Sequence, residues 1–182
     1  MKHKLYLLVL ALQTVWLLEI VVQQERGLHA AHTVLLETMP VDPRDPLRGD
    51  YVRFNYAISD VPVERFLDRA AVVTNLPTSR TVYVALAAGT NGFWTVSRAG
   101  TGRFATTSNE VLMCGRTAWS GRNGRGSIHL EYGLEEYYVA EGTGNPHGKV
   151  TVQAALTDAG KAIIKEVFVD GKPYQEVMKG RN

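Results

Sequence analysis

Residues 40–59 read PVDPRDPLRGDYVRFNYAIS. The first half sets Pro40, Pro43 and Pro46 among aspartates and arginines, and the character changes after the Gly49–Asp50 step. From there Val52, Phe54, Tyr56 and Ile58 fall on one face of an extended chain, and Tyr51, Arg53, Asn55 and Ala57 on the other. That alternation is the mark of a half-buried strand. The stretch predicts a rigid corner that feeds a core strand. Its prolines fix the path, Gly49 permits the turn and Asp50 caps exposed amides.

The same pattern recurs on either side. TVLLETM (33–39) reads as a strand, SRTVYVALAA and FWTVS flank the turn GTNG, and EVLMCGRTAW and SIHLEYG flank SGRNGRG. In KVTVQAAL, Val150, Val152, Ala154 and Leu156 share a face opposite Thr151 and Gln153; DAGK then leads into AIIKEVFV, and Asp170–Gly171 turns the chain again. Short strands joined by hairpin turns predict an all-β, mainly antiparallel domain, barrel- or sandwich-like. One short helix is expected in VPVERFLDRAA, with Asp60 as cap, Pro62 in the first turn and Val63, Phe66, Leu67 and Ala70 inward.

The chain begins with basic MKHK and continues with LYLLVLALQTVWLLEIVV, residues 5–22. As a helix this run is about 27 Å long, close to the hydrocarbon thickness of a bilayer. It is longer than the apolar region of a signal peptide, and QQERGLHAAH offers no small-x-small cleavage pair near its end. The expectation is a single N-terminal transmembrane helix over 5–22, with residues 1–4 cytoplasmic, a juxtamembrane stalk over 23–32, and a β domain over 33–182 outside the membrane, in the periplasm or its equivalent. Lys2 and Lys4 set that orientation. Gln13, Trp16 and Glu19, spaced three apart, form one face for contacts with a partner's membrane helices; Glu19 is also near enough to the outer end to reach the headgroups.

Of the 182 residues, 20 are Lys or Arg and 18 Asp or Glu. Setting aside Lys2, Lys4 and Glu19 with the first 22 residues leaves 18 basic and 17 acidic side chains. A nearly neutral outer domain carries no electrostatic footprint for nucleic acid. The single cysteine, Cys114, has no internal disulfide partner and reads as a small buried hydrophobe.

Catalytic and metal-binding patterns are thin. His29 and His32 in HAAH have helical i, i+3 spacing but no third ligand nearby, and His129 and His147 are isolated. No G-x-S-x-G elbow occurs. MPVDPRDPLRGD resembles the segment in which membrane-anchored signal peptidases place a nucleophilic serine ahead of a proline and a Gly-Asp step, but this chain has Pro40 where that serine would stand. None of its lysines lies in a strand that reads as a catalytic-base strand. Arg122 and Arg125 sit on the tip GRNGRG, read as a solvated hairpin end. The carboxylates Asp42, Asp45 and Asp50 lie beside Arg44 and Arg48, the composition of a turn with local ion pairs.

GDYVRFNY, residues 49–56, resembles the signature of the GDYXXLXY family of bacterial membrane-anchored proteins. Gly49, Asp50, Tyr51 and Tyr56 match, and Phe54 stands at the signature leucine. The resemblance extends to PVDPRDPLRGD, the apolar run, YGLEEYYVAEG and the closing VDG. It implies Pro43, Gly49, Phe54, Tyr56, Tyr138 and Gly142 as structural positions, no assigned catalytic residues, and a multi-span membrane protein as partner.

The expectation is therefore a non-catalytic accessory or assembly subunit of a larger bacterial inner-membrane complex, respiratory or photosynthetic, in contact with the bilayer and needing no cofactor. Its docking surface would be Asp42, Arg44, Asp45, Arg48, Asp50, Tyr51 and Glu141. The alternative is an envelope hydrolase or ligand-binding domain on a signal-peptidase-like scaffold lacking the Ser–Lys pair, with Asp50 and Glu141 converging in a pocket.

Overall fold

The computed structural model describes residues 2–28, 32–39, 51–74, 77–123, 126–139 and 148–179. After helix α1 (Lys2–Leu28) the chain forms β1 (His32–Met39), β2 (Tyr51–Arg53), β3 (Asn55–Tyr56), β4 (Asp60–Pro62), a 3-10 turn (Val63–Arg65) and α2 (Arg69–Thr74). Then follow β5 (Thr81–Ala88), β6 (Trp94–Gly100), β7 (Glu110–Asn123), β8 (Ser127–Glu131), β9 (Glu136–Tyr138), β10 (Val150–Leu156), β11 (Ala162–Val169), β12 (Lys172–Pro173) and α3 (Tyr174–Lys179).

The strands make three antiparallel sheets: β12-β11-β10-β1-β3, β4-β8-β7-β5-β6, and the pair β2-β9. The mainly antiparallel β domain is thus as the alternation predicts. Each expected hairpin forms, with Ala88 opposite Trp94, Asn123 opposite Ser127, and Leu156 opposite Ala162. The β11–β12 turn places Asp170 and Gly171 at φ 50° and 79°, the left-handed pair a two-residue hairpin needs. The core lies between the two large sheets, with Val34, Leu36, Val84, Leu86, Val152 and Leu156 at 0–1 % exposure; each such side chain contributes roughly 1.5–3 kcal/mol of burial. The Cys114 amide in β7 donates to the Gly160 carbonyl in the β10–β11 turn at 2.7 Å and ties the two sheets together. Cys114 is half-buried, and burial pushes its thiol upward, with Arg116 opposing.

The stretch 51–62 departs from a single strand. Val52, Phe54, Tyr56 and Ile58 are all buried, as the alternation predicts, but the chain takes three different partners within it. β2 pairs with β9, β3 with β1, and β4 with β8. The segment crosses from sheet to sheet while keeping one face inward.

The helix expected in 61–71 begins later. Asp60 is not a cap; it sits in β4 opposite His129, and its Oδ1 lies 2.8 Å from the imidazole Nδ1. Val61, between two polar-facing neighbours, is fully buried against β8, so strand pairing overrides helical spacing here. Pro62 is tolerated because β4 is an edge strand. Phe66 is buried, whereas Leu67 and Ala70 are exposed, contrary to the expected helix face. Helix α2 spans only Arg69–Thr74, and the six-residue α3 ends the described chain.

α1 is a 27-residue helix. Its apolar side chains from Tyr6 to Val22 are exposed, Tyr6 at 71 % and Val22 at 46 %. Among the described residues no helix is long and apolar enough to cross a membrane. The fold therefore supplies the helix and its exposed apolar surface, and the transmembrane part of the expected architecture is not confirmed by it.

Candidate functional site

The most tightly organised region joins the stretch 51–58 to residues 132–138. Gly133, at φ 78°, turns the chain after Tyr132. The Glu135 carboxylate accepts from the Tyr132 and Gly133 amides at 2.5 and 2.9 Å, which fixes that turn. Phe54 N–H then donates to Glu135 O at 2.7 Å, and β2 aligns with β9 so that Tyr51, Val52 and Arg53 face Tyr138, Tyr137 and Glu136.

Two buried phenols lock the segments reciprocally. The Tyr56 hydroxyl donates to Leu134 O at 2.6 Å, and the Tyr132 hydroxyl donates to Ile58 O at 2.8 Å. Burial, and then the nearby Glu135 charge, holds both phenols well above the ordinary tyrosine range; Asp60 adds to the effect at Tyr132. They stay neutral and act as fixed hydrogen-bond donors. Gly115 makes room for the Tyr132 ring: a Cβ there would lie 2.9 Å from Tyr132 Cε1.

An aromatic row leads from this lock to the surface. Phe54 meets Tyr56 edge-on at 6.3 Å, stacks on Tyr137 at 6.2 Å, and Tyr137 meets Tyr174 edge-on at 5.7 Å. Tyr137 and Tyr174 form one wall of a cleft of about 310 Å³ that Lys165, Glu166 and Glu176 also line. A β-bulge shapes it. Gln153 pairs with Glu166 and Ala154 with Ile164, so Lys165 is an extra residue in β11. Lys165 and Glu166 are consequently both exposed, where a regular strand would turn one of them inward.

A second bulge builds a separate polar cluster. Ser97 is the extra residue in β6, and Ser97 Oγ and Arg98 Nε, adjacent in sequence, both donate to Glu110 Oε1, at 2.7 and 3.3 Å. Arg98 also meets Glu110 Oε2 at 2.5 Å, and the Thr107 amide donates to it at 3.0 Å. Arg98 first, then Thr107 and Ser97, hold the Glu110 carboxyl down at about 2. Among the described residues the contacts of this carboxylate brace β6 against the start of β7.

Of the residues singled out in the sequence, Phe54 and Tyr56 are in the core, and Tyr51 is placed by the backbone opposite Tyr138. Tyr138 is 74 % exposed, and its hydroxyl donates to Glu136 at 3.2 Å. Asp42, Pro43, Arg44, Asp45, Arg48, Gly49, Asp50, Glu141 and Gly142 lie outside the described residues, as do His29, Arg125 and His147. The expected meeting of Asp50 with Glu141 falls with them. Gln13, Trp16 and Glu19 are exposed on α1, Trp16 at 64 %. His32 is an exposed residue of β1, and among the described residues no three His, Cys, Asp or Glu side chains are placed to hold a metal. The cleft and the Ser97–Arg98–Glu110 cluster are absent from the sequence reading. Their signal is broken alternation: Ile163–Ile164 followed by Lys165–Glu166 repeats each residue character where a regular strand would alternate.

A family model described as GDYXXLXY protein matches residues 13–171. It takes in both halves of the lock, the aromatic row as far as Tyr137, and most of α1. No curated protein and no solved structure matches the chain.

Proposed function

Because the chain belongs to the GDYXXLXY family, we propose that it is a non-catalytic, single-span accessory or assembly subunit of a larger bacterial inner-membrane complex, respiratory or photosynthetic, with its β domain on the periplasmic side. The observation that carries this reading is the unbroken exposure of apolar side chains along α1, Tyr6 through Val22, ahead of a packed β domain. Such a surface calls for lipid or a partner's helices. At about 1.5 Å per residue the 27 residues of α1 extend roughly 40 Å. Gln13, Trp16 and Glu19 supply its polar and aromatic contacts to a multi-span partner.

The non-catalytic half of the reading is supported by what the signature's tyrosine does. Tyr56 is committed to a backbone carbonyl, and Glu135, whose carboxylate fixes the turn beside the lock, to two backbone amides. On this reading the signature builds a rigid domain, and the corner over 40–51 together with Glu141 docks onto the partner. Extraction in mild detergent followed by affinity capture of the full chain tests it. A multi-span membrane protein recovered in stoichiometric amount is the expected result. A partner-free monomer, or recovery in the soluble fraction, overturns it.

A further inference from the structure

The cleft at the end of the aromatic row combines three features. It is small, about 310 Å³, the lower end of the range for ligand cavities and the size for one residue rather than a long chain. Its wall is fixed, because Tyr137 is held between Phe54 and Tyr174. Its rim carries one ammonium, Lys165, and two carboxylates, Glu166 and Glu176. The bulge at Lys165 is what brings the first two to the same side. Among the described residues these three groups form no ion pair, whereas Arg98, Lys149 and His129 each contact a carboxylate within 2.8 Å.

From this pattern we propose that the cleft binds a basic residue bearing a free carboxylate, either a free basic amino acid or the C-terminal arginine or lysine of a chain. The ligand's carboxylate pairs with Lys165. Its side-chain cation lies between Glu166 and Glu176, and its aliphatic stem runs along the Tyr137 and Tyr174 rings. A purely anionic ligand would leave two carboxylates facing it, and a simple amine would leave Lys165 without a counter-charge. Charges of both signs beside an aromatic wall fit a ligand that carries both. The inference stands apart from the membrane-complex reading: binding is expected whether or not a partner is captured.

Isothermal titration calorimetry on the full chain in detergent micelles tests it. The probes are L-arginine, L-lysine, a short peptide ending in a free arginine carboxylate, its C-terminal amide, and L-glutamate. Saturable binding of a free-acid basic probe is expected, weakened at least tenfold by amidation and by each of Lys165→Met, Glu166→Gln and Glu176→Gln. These are exposed positions, and the variants' unchanged melting temperatures separate a lost contact from a lost fold. Free arginine binding without the peptide identifies the amino acid as the ligand, and the reverse identifies a chain end. No saturable heat from any free-acid basic probe overturns the proposal, as does equal affinity for the amide, preferred binding of L-glutamate, or binding indifferent to the three substitutions.

Discussion

The ring of Phe54 lies stacked on that of Tyr137, with centroids 6.2 Å apart and planes inclined by 28°. The pair joins residues more than eighty positions apart, at the point where the chain leaves β2 for β3. The family signature carries leucine at the Phe54 position, and here an aromatic ring stands in its place. Phe54→Leu keeps an apolar group in the core but removes both ring contacts, at an expected cost of about 1–2 kcal/mol. Phe54→Ala leaves a cavity and is expected to cost about 3–5 kcal/mol. Urea unfolding of the two variants checks the order and the gap.

Tyr56→Phe and Tyr132→Phe each delete one buried hydroxyl and leave a carbonyl, Leu134 O or Ile58 O, without that donor. Each is expected to destabilise by about 1–3 kcal/mol. Both bonds tie the same two segments, so the double variant is expected to lose less than the sum. A double-mutant cycle from denaturant midpoints reads that coupling directly.

The Glu110 carboxyl is held down from an ordinary 4.5 to about 2 in the folded chain. A depressed folded value means that the folded state keeps this group ionised at pH values where the unfolded chain has already bound the proton. Its contribution is therefore complete above about pH 4.5 and disappears as the pH falls toward about 2. Glu110→Gln lacks this contribution throughout. The stability difference between the parent and the variant is expected to be constant near neutrality and to shrink across that acid window, as followed by thermal melts at stepped pH.

Gly115→Ala places a Cβ 2.9 Å from Tyr132 Cε1 and 3.2 Å from Glu131 O. The ring is fixed by its hydroxyl bond to Ile58 and cannot swing away cheaply. Overpacking of about 1–3 kcal/mol is expected. Gly102→Ala, where nothing lies within 4 Å, is expected to stay within about 0.5 kcal/mol of the parent. Melting temperatures of the pair distinguish a specific slot from a general intolerance of substitution.

What the sequence shows of this fold follows from what alternation can carry. Val52, Phe54, Tyr56 and Ile58 are buried because the period of two sets the face whichever strand happens to pair with them. The same property hides the partner changes at Phe54 and Ser59, since a strand that switches sheets keeps its alternation. In 61–71 the apolar spacing fits a helix, yet Val61 gains more from sealing the edge beside Ile128, and pairing with β8 is a tertiary fact. The hairpins were legible through their glycines, above all Asp170–Gly171. The bulges at Ser97 and Lys165 were not, because one inserted residue is defined only against a neighbouring strand. The cleft and the Glu110 cluster both depend on such residues, so the polar chemistry was less visible than the core.

The route of residues 51–62 across three sheets also bears on the order of events when the chain folds. Its partners lie in β9, β1 and β8, so it has no complete template until segments on both sides of it have been positioned. Hairpins such as β5–β6 and β10–β11 close short loops and form early; pairings of high sequence separation come late. The segment is in that sense the seam that closes the domain. Substitutions within it, Tyr56→Phe among them, are expected to accelerate unfolding while leaving the folding rate nearly unchanged. The family's signature would then mark the place where the finished domain is held against reopening.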